Sequence, residues 1–111
     1  MQGTPKRAGP TYLTTNAADV LTTPASGLFN LIRMIHACNE TNAAVQFSMF
    51  MGATAGHAGG TSIFFNQSIP ANGTQDLPLY LVQKNGDYLS GNAASNSAIT
   101  AIVMYDAIVI P

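Results

Sequence analysis

The stretch Ala44-Val45-Gln46-Phe47-Ser48-Met49-Phe50-Met51 decides the reading of the fold. In an extended chain Val45, Phe47, Met49 and Met51 fall on one side, and Ala44, Gln46, Ser48 and Phe50 on the other. Phe50 apart, this is the period-2 alternation of a strand with one buried face, because successive strand side chains point to opposite sides. Outward from it, short apolar segments alternate with turn clusters: 11–15, 19–23, 28–38, 62–66, 67–69, 77–82, 88–90 and 98–110. The turns between them are rich in Pro, Gly and Asn, as in Pro24-Ala25-Ser26-Gly27, Pro70-Ala71-Asn72-Gly73 and Lys84-Asn85-Gly86-Asp87. Such spacing is that of an all-β sandwich or barrel, and it predicts about seven or eight strands and no helix.

Three segments carry further information. Residues 98–110 are apolar on both sides, with Ile99, Ala101, Val103 and Tyr105 against Ile102, Met104, Ile108 and Ile110, so this strand is central or covered on both faces. In 28–38 the residues Leu28, Leu31, Ile32 and Ile35 also fit a helical stripe, and the β-rich surroundings favour a strand. Pro78 lacks the N–H that a sheet ladder needs, which places 77–82 at a sheet edge or a bulge.

Composition bounds the function. Of 111 residues 47% are hydrophobic and only 8% charged, against roughly 25% charged in an ordinary domain. Ser, Thr, Asn and Gln together number 32 and carry the polarity. One domain with one core is expected at this length. A formal net charge of −1 excludes a strongly basic nucleic-acid face, and no apolar run is long enough for a helix to span a bilayer, so neither nucleic acid nor membrane is an expected partner. The lone Cys38 forms no internal disulfide, and Met1–Arg7 has no apolar core of a secretory signal; synthesis in a reducing cytoplasm is expected. The three sequons at Asn39, Asn66 and Asn72 then read as by-products of an Asn/Thr-rich chain.

Reactive constellations are not evident. Asp19, Glu40, Asp76, Asp87 and Asp106 sit singly beside turns or at strand ends, where aspartates cap backbone amides. His36 and Cys38 share one strand face, yet zinc needs three or four ligands; His36 reads as a partly buried strand residue and His57 as a loop residue. A Cys/His nucleophilic pair lacks a third orienting group. The loop with Gly52, Gly56, Gly59 and Gly60 lacks the lysine–serine ending of a phosphate cradle. Phe47, Phe50, Phe64 and Phe65 have no interleaved Lys or Arg and read as core. The expectation is a protein without enzymatic activity, cofactor or metal.

Other residues carry a resemblance. Thr22-Thr23-Pro24-Ala25-Ser26-Gly27, then 31–39 ending in Cys38-Asn39, then 43–47, resemble a small all-β domain recurrent among tailed-phage structural proteins. There a T-P-A-G turn leads into a strand ending in C-N or S-N and then a hairpin. Ile69-Pro70-Ala71-Asn72-Gly73-Thr74, Asn85-Gly86-Asp87-Tyr88-Leu89 and 98–105 are similar to that family's later turn and strand segments. The likeness spans roughly residues 11–106; Leu28-Phe29-Asn30 and 107–111 depart from it.

The resemblance implies an antiparallel β-sandwich, jelly-roll or immunoglobulin-like, and a virion building block. The expected role is a capsid decoration or cement protein on the particle exterior, bound to the major capsid protein and to copies of itself, trimer first and dimer second. The alternatives are a tail, neck or head-fibre component, or a carbohydrate-binding attachment module using Tyr12, Tyr80 and Tyr88. The neutral surface agrees, because Ser, Thr, Asn and Ala lose less on burial than Lys and Glu. The expected organisation is an extended arm at 1–10, a sandwich at 11–106 and an apolar tail at 107–111. Candidate contact residues are Lys6 and Arg7 in the arm, meeting acidic groups, and Ile108, Val109 and Ile110 in the tail, which either add a strand to a neighbour or end one long central strand, 99–110, of their own subunit.

Overall fold

Eight strands follow one another in the computed structural model, which describes residues 3–53 and 62–110. They are β1 (Gly3–Tyr12), β2 (Ala18–Leu21), β3 (Leu28–Asn39), β4 (Val45–Gly52), β5 (Ser62–Ile69), β6 (Thr74–Lys84), β7 (Tyr88–Ala93) and β8 (Ile99–Val109). Most of the glycine-rich loop, with His57, Gly56, Gly59 and Gly60, lies outside the described residues. The strands form two four-stranded antiparallel sheets, the first ordered β1-β8-β3-β6 and the second β2-β7-β4-β5. Every connection between consecutive strands passes from one sheet to the other, except the β4–β5 link within the second sheet. That connectivity is a jelly roll, the eight-stranded double-sheet arrangement that deals with open sheet edges by curling them over a shared core. Of the two expected architectures this excludes the immunoglobulin-like one, which keeps more of its hairpins within one sheet.

Sequence explains the local choices. β8 lies between β1 and β3, which accounts for its apolar residues on both faces. In β3 the register against β8 slips by one residue between Ile32 and Met34, so Arg33 forms a bulge. Ile32 and Ile35, three apart, therefore both point inward and are fully buried. The stripe that looked helical is a strand with one residue inserted. β6 is an edge strand, with its own irregularity between Pro78 and Leu81, as the missing proline N–H requires. Gly27 and Gly86 close the turns before β3 and β7 with φ of 85° and 94°, a region in which side chains are strained.

The core between the sheets holds Leu13, Leu21, Ile32, Ile35, Phe47, Met49, Ile69, Leu89, Ile99 and Val103. Two buried polar clusters close its ends. Asn30 donates to Gln83 Oε1 at 2.9 Å, and Gln83 Nε2 donates to the carbonyls of Leu21 and Asp87. At the other end Asn39 Nδ2 donates to the carbonyls of Ala43, Ile69 and Pro70, while its Oδ1 accepts from the N–H and hydroxyl of Thr41.

The terminal segments belong to the sandwich. Residues 3–10 are exposed apart from Ala8, which packs partly against the core, and they form most of β1, pairing with β8 from Gly3↔Ile108 to Ala8↔Val103. The 107–110 segment continues β8: Ala107 pairs with Thr4 and Asn30, Ile108 with Gly3 and Phe29, and Val109 with Leu28. Ile110 N donates to Gly27 O at 2.9 Å. The ladder of 107–108 is thus occupied on both sides within its own chain. Of the two readings of this end, this favours the long central strand, because pairing with β1 and β3 satisfies the backbone groups that a docking strand would offer a neighbour.

Candidate functional site on the outer face of the first sheet

Residues opposite one another in a sheet share a face, so the register defines which side chains line the outer side of the first sheet. From β3 these are Phe29, Leu31, Met34, His36 and Cys38, and from β8 their partners Ile108, Asp106, Met104, Ile102 and Thr100. β6 adds Lys84, Val82, Pro78, Asp76 and Thr74, and by alternation Tyr80; β1 adds Pro5, Arg7 and Tyr12. No described element of the chain packs over this surface. The aliphatic and sulfur-bearing side chains shelter one another, so Leu31 is only 7% exposed although it faces outward, whereas Tyr80 is 82% exposed.

Charged groups on this face are mostly engaged. Arg33 Nε donates to Asp106 Oδ2 at 2.6 Å across β3 and β8. His36 Nδ1 is paired with Asp76 of β6. At its upper margin the Tyr12 hydroxyl donates to Glu40 at 3.0 Å, and the Thr100 hydroxyl donates to the other Glu40 oxygen. The Glu40 carboxylate, by that hydrogen bond and its charge, raises the Tyr12 phenol above its ordinary pKa. Asp76, Asp106 and Glu40 therefore act as cross-strand or long-range partners rather than turn caps. Asp87 does cap its turn, accepting from Lys84 N, and Asp19 accepts from the Ser90 hydroxyl.

At one corner of the face an open apolar groove of about 430 Å³ is lined by Gly27, Leu28, Phe29, Val82, Lys84, Asn85 and Ile110. A second hollow, of about 230 Å³, lies on the other sheet among Thr15, Gln46, Ser48, Asn66 and Asn92 and is neutral and polar.

The expected contact residues are dispersed. Lys6 opposes Tyr105 and Arg7 opposes Met104, so neighbouring cations point to opposite sides of β1 and do not make one basic patch. Ile108 lies on the outer face, Val109 on the inner side at the open end, and Ile110 in the groove. Tyr12 and Tyr80 stand on opposite edge strands of the first sheet and Tyr88 on the second sheet, so the three tyrosines form no common platform. His36 and Cys38 do share a face, and both are partly buried. Asp76, which orients His36 from 40 residues away, was not evident in the sequence. Among the described residues no group of three or more His, Cys, Asp or Glu side chains could hold a metal.

The fold has known counterparts. A subunit of Bacillus endospore appendages, described as a novel family of disulfide-linked pili, superposes with a TM-score of 0.55 at 8% identity, covering all of this chain and 93% of that one. At that identity the likeness speaks for the fold alone. Two structures of a pentameric capsid protein from metagenomic phage sequences overlap less, with TM-scores of 0.32 and 0.33 at 17% and 16% identity. Each aligns with 89% of this chain, which spans 58% and 63% of theirs. No family model matches the chain, and no curated protein matches it in sequence.

Proposed function

We propose that this chain is a virion structural protein of a tailed phage, a decoration or cement protein that binds the major capsid protein on the particle exterior and has no catalytic role. The observation that carries the reading is the outer face of the first sheet, where Phe29, Leu31, Met34, Ile102, Met104 and Ile108 form an apolar centre that no described element covers. An antiparallel sheet of a free-standing protein ordinarily keeps one face wet and polar. A large exposed apolar patch marks a surface that meets other protein. The chain as a whole is low in charge, and the charges on this face are partly paired with one another, Arg33 with Asp106 and His36 with Asp76. The jelly roll is a scaffold used for capsid proteins, lectins and cupins, which is an analogy of fold only.

The mechanism is linkage. A protein that binds the assembled shell but not its separated subunits shifts the equilibrium toward the shell, by about 2.7 kcal/mol per site at a hundred-fold excess over Kd. Particles assembled without this chain are expected to burst at lower temperature, and adding the purified chain back restores the midpoint. A midpoint unchanged by omission, with the chain absent from purified particles, rejects the role.

A further inference from the structure

The way this molecule can associate is constrained by its four sheet edges, each of which is blunted. β1 carries Pro5 and Pro10, which lack the N–H an added strand needs, and Lys6 and Arg7 beside them. β6 carries Pro78 and a local irregularity, with Asp76 and Lys84 at its ends. β2 has four residues. β5 is shifted in register twice against β4, with Asn66 at a φ of 52°. Prolines, charges, short strands and bulges are the means by which proteins prevent edge-to-edge pairing. What remains open is the face.

From this we infer that the outer face of the first sheet docks onto the same face of a second copy, as a two-fold dimer in which Tyr80 of each copy seats in the partner's apolar groove. The inference rests on the reading that this face is covered by protein, and goes beyond it by naming the occupant. Three observations select a second copy. The first is area: strands of 10 to 12 residues, four abreast, span roughly 35 Å by 19 Å, about 650 Å² before corrugation is counted. Two such faces bury about 1,300 Å² in total, at the low end of the roughly 1,200–2,000 Å² of stable interfaces, so an identical face is of the size a dimer needs. The second is charge: Arg7, Arg33 and Lys84 lie among Asp76 and Asp106, so the face has no single sign with which to repel its own copy.

The third is shape. Tyr80, the most exposed large hydrophobic side chain described, lies two residues from Val82 on the strand that forms one wall of the groove. A two-fold axis crossing β6 near Val82 brings each knob opposite the other copy's hole, the self-complementarity that an isologous interface demands. Tyrosine in a pocket ringed by apolar contacts is the usual form of an interface anchor.

Sedimentation equilibrium of the purified chain tests this, with Tyr80→Glu on the face and Ser68→Lys on the β5 edge. The expected result is a wild-type dimer whose Kd weakens about 30-fold or more in Tyr80→Glu and is unchanged in Ser68→Lys. Tyr80 is exposed, so the thermal melt of the variant, extrapolated to the monomer, should match wild type. A wild-type monomer at high concentration overturns the inference. So does a dimer that Ser68→Lys dissociates and Tyr80→Glu leaves intact. If the pure chain is monomeric while Tyr80→Glu abolishes its uptake by capsids, the face belongs to the shell and only the self-docking fails. If the dimer forms as described but never joins a particle, the dimer stands and the virion role fails.

Discussion

At the scale of single residues, the groups that hold this molecule together are neutral amides whose partners are distant in sequence. Asn39 reads in the sequence as part of an unused sequon; in the fold it is 1% exposed and clamps the end of β3 to the 41–43 loop and the β5–β6 turn. Nothing local announces this, because Ile69 and Pro70 lie 30 and 31 residues away. Asn30 and Gln83 were equally silent, being 53 residues apart. Replacing Asn39 by Ala leaves the Thr41 N–H without its acceptor and takes one donor from three carbonyls, of which Ala43 O keeps the Thr41 hydroxyl and Pro70 O keeps the Gly73 N–H, and should lower stability by about 2 kcal/mol in urea unfolding. Asn39→Asp should be worse near pH 7. Its carboxylate would face three carbonyl oxygens with no proton to donate, so its folded-state pKa is raised and stability is lost as pH rises through it. The Asp variant should therefore recover part of the deficit between about pH 7 and about pH 4. Equal stability of Asn39→Ala and wild type would show that the clamp is replaceable by water.

At the scale of the element, strands were legible wherever alternation or double-sided hydrophobicity is strict. β4 and β8 are the examples: in β4 Val45, Phe47 and Met49 are buried as alternation requires, although Ser48 and Phe50 on its other face are buried too, and β8 is central as its two apolar faces require. β3 was ambiguous for a physical reason, since the bulge at Arg33 converts a period of two into a spacing of three between Ile32 and Ile35. Bulges depend on the partner strand and leave no mark on the bulged segment itself. The candidate site was legible only as composition. The low charge raised the expectation of a covered surface, but which surface that would be depends on strand order, and several topologies fit one list of strands. The end at 107–110 could be read two ways by the same route, because a strand flanked on both sides and a free apolar end have one sequence pattern; the pairing of 107–109 with β1 and β3 favours the first. Deleting 107–111 should accordingly act on the fold. It removes the partners of Gly3, Thr4, Phe29 and Asn30 and part of the apolar groove. A stability loss of roughly 3 kcal/mol is expected, from the buried part of Ile108 and the lost ladder bonds. A truncated chain with an unchanged urea midpoint would mean that β1 and β3 do not depend on this end of β8.

At the scale of the whole molecule, the first sheet has an inner face packed in the core and an outer face proposed to meet other protein, and neighbouring residues of one strand separate them. Val103 points into the sandwich and is 1% exposed, while Ile102 lies on the outer face opposite His36. A lysine at 103 buries an ammonium in the core, a cost of several kcal/mol that is comparable with the whole margin of a marginally stable domain of this size. A lysine at 102 can extend its ammonium into water while its stem covers Met34 and Met104, and leaves the isolated fold intact. In an assembly the same lysine sits between two protein surfaces and must be desolvated. Val103→Lys should therefore yield unfolded or insoluble protein by circular dichroism. Ile102→Lys should retain the wild-type far-ultraviolet spectrum, become more soluble, and lose its association in sedimentation. An Ile102→Lys chain that assembles as wild type would mean that the outer face stays wet. The molecule's scarcity of charge would then have to be explained by its second sheet, where the neutral hollow among Gln46, Ser48, Asn66 and Asn92 is the remaining surface of the same character.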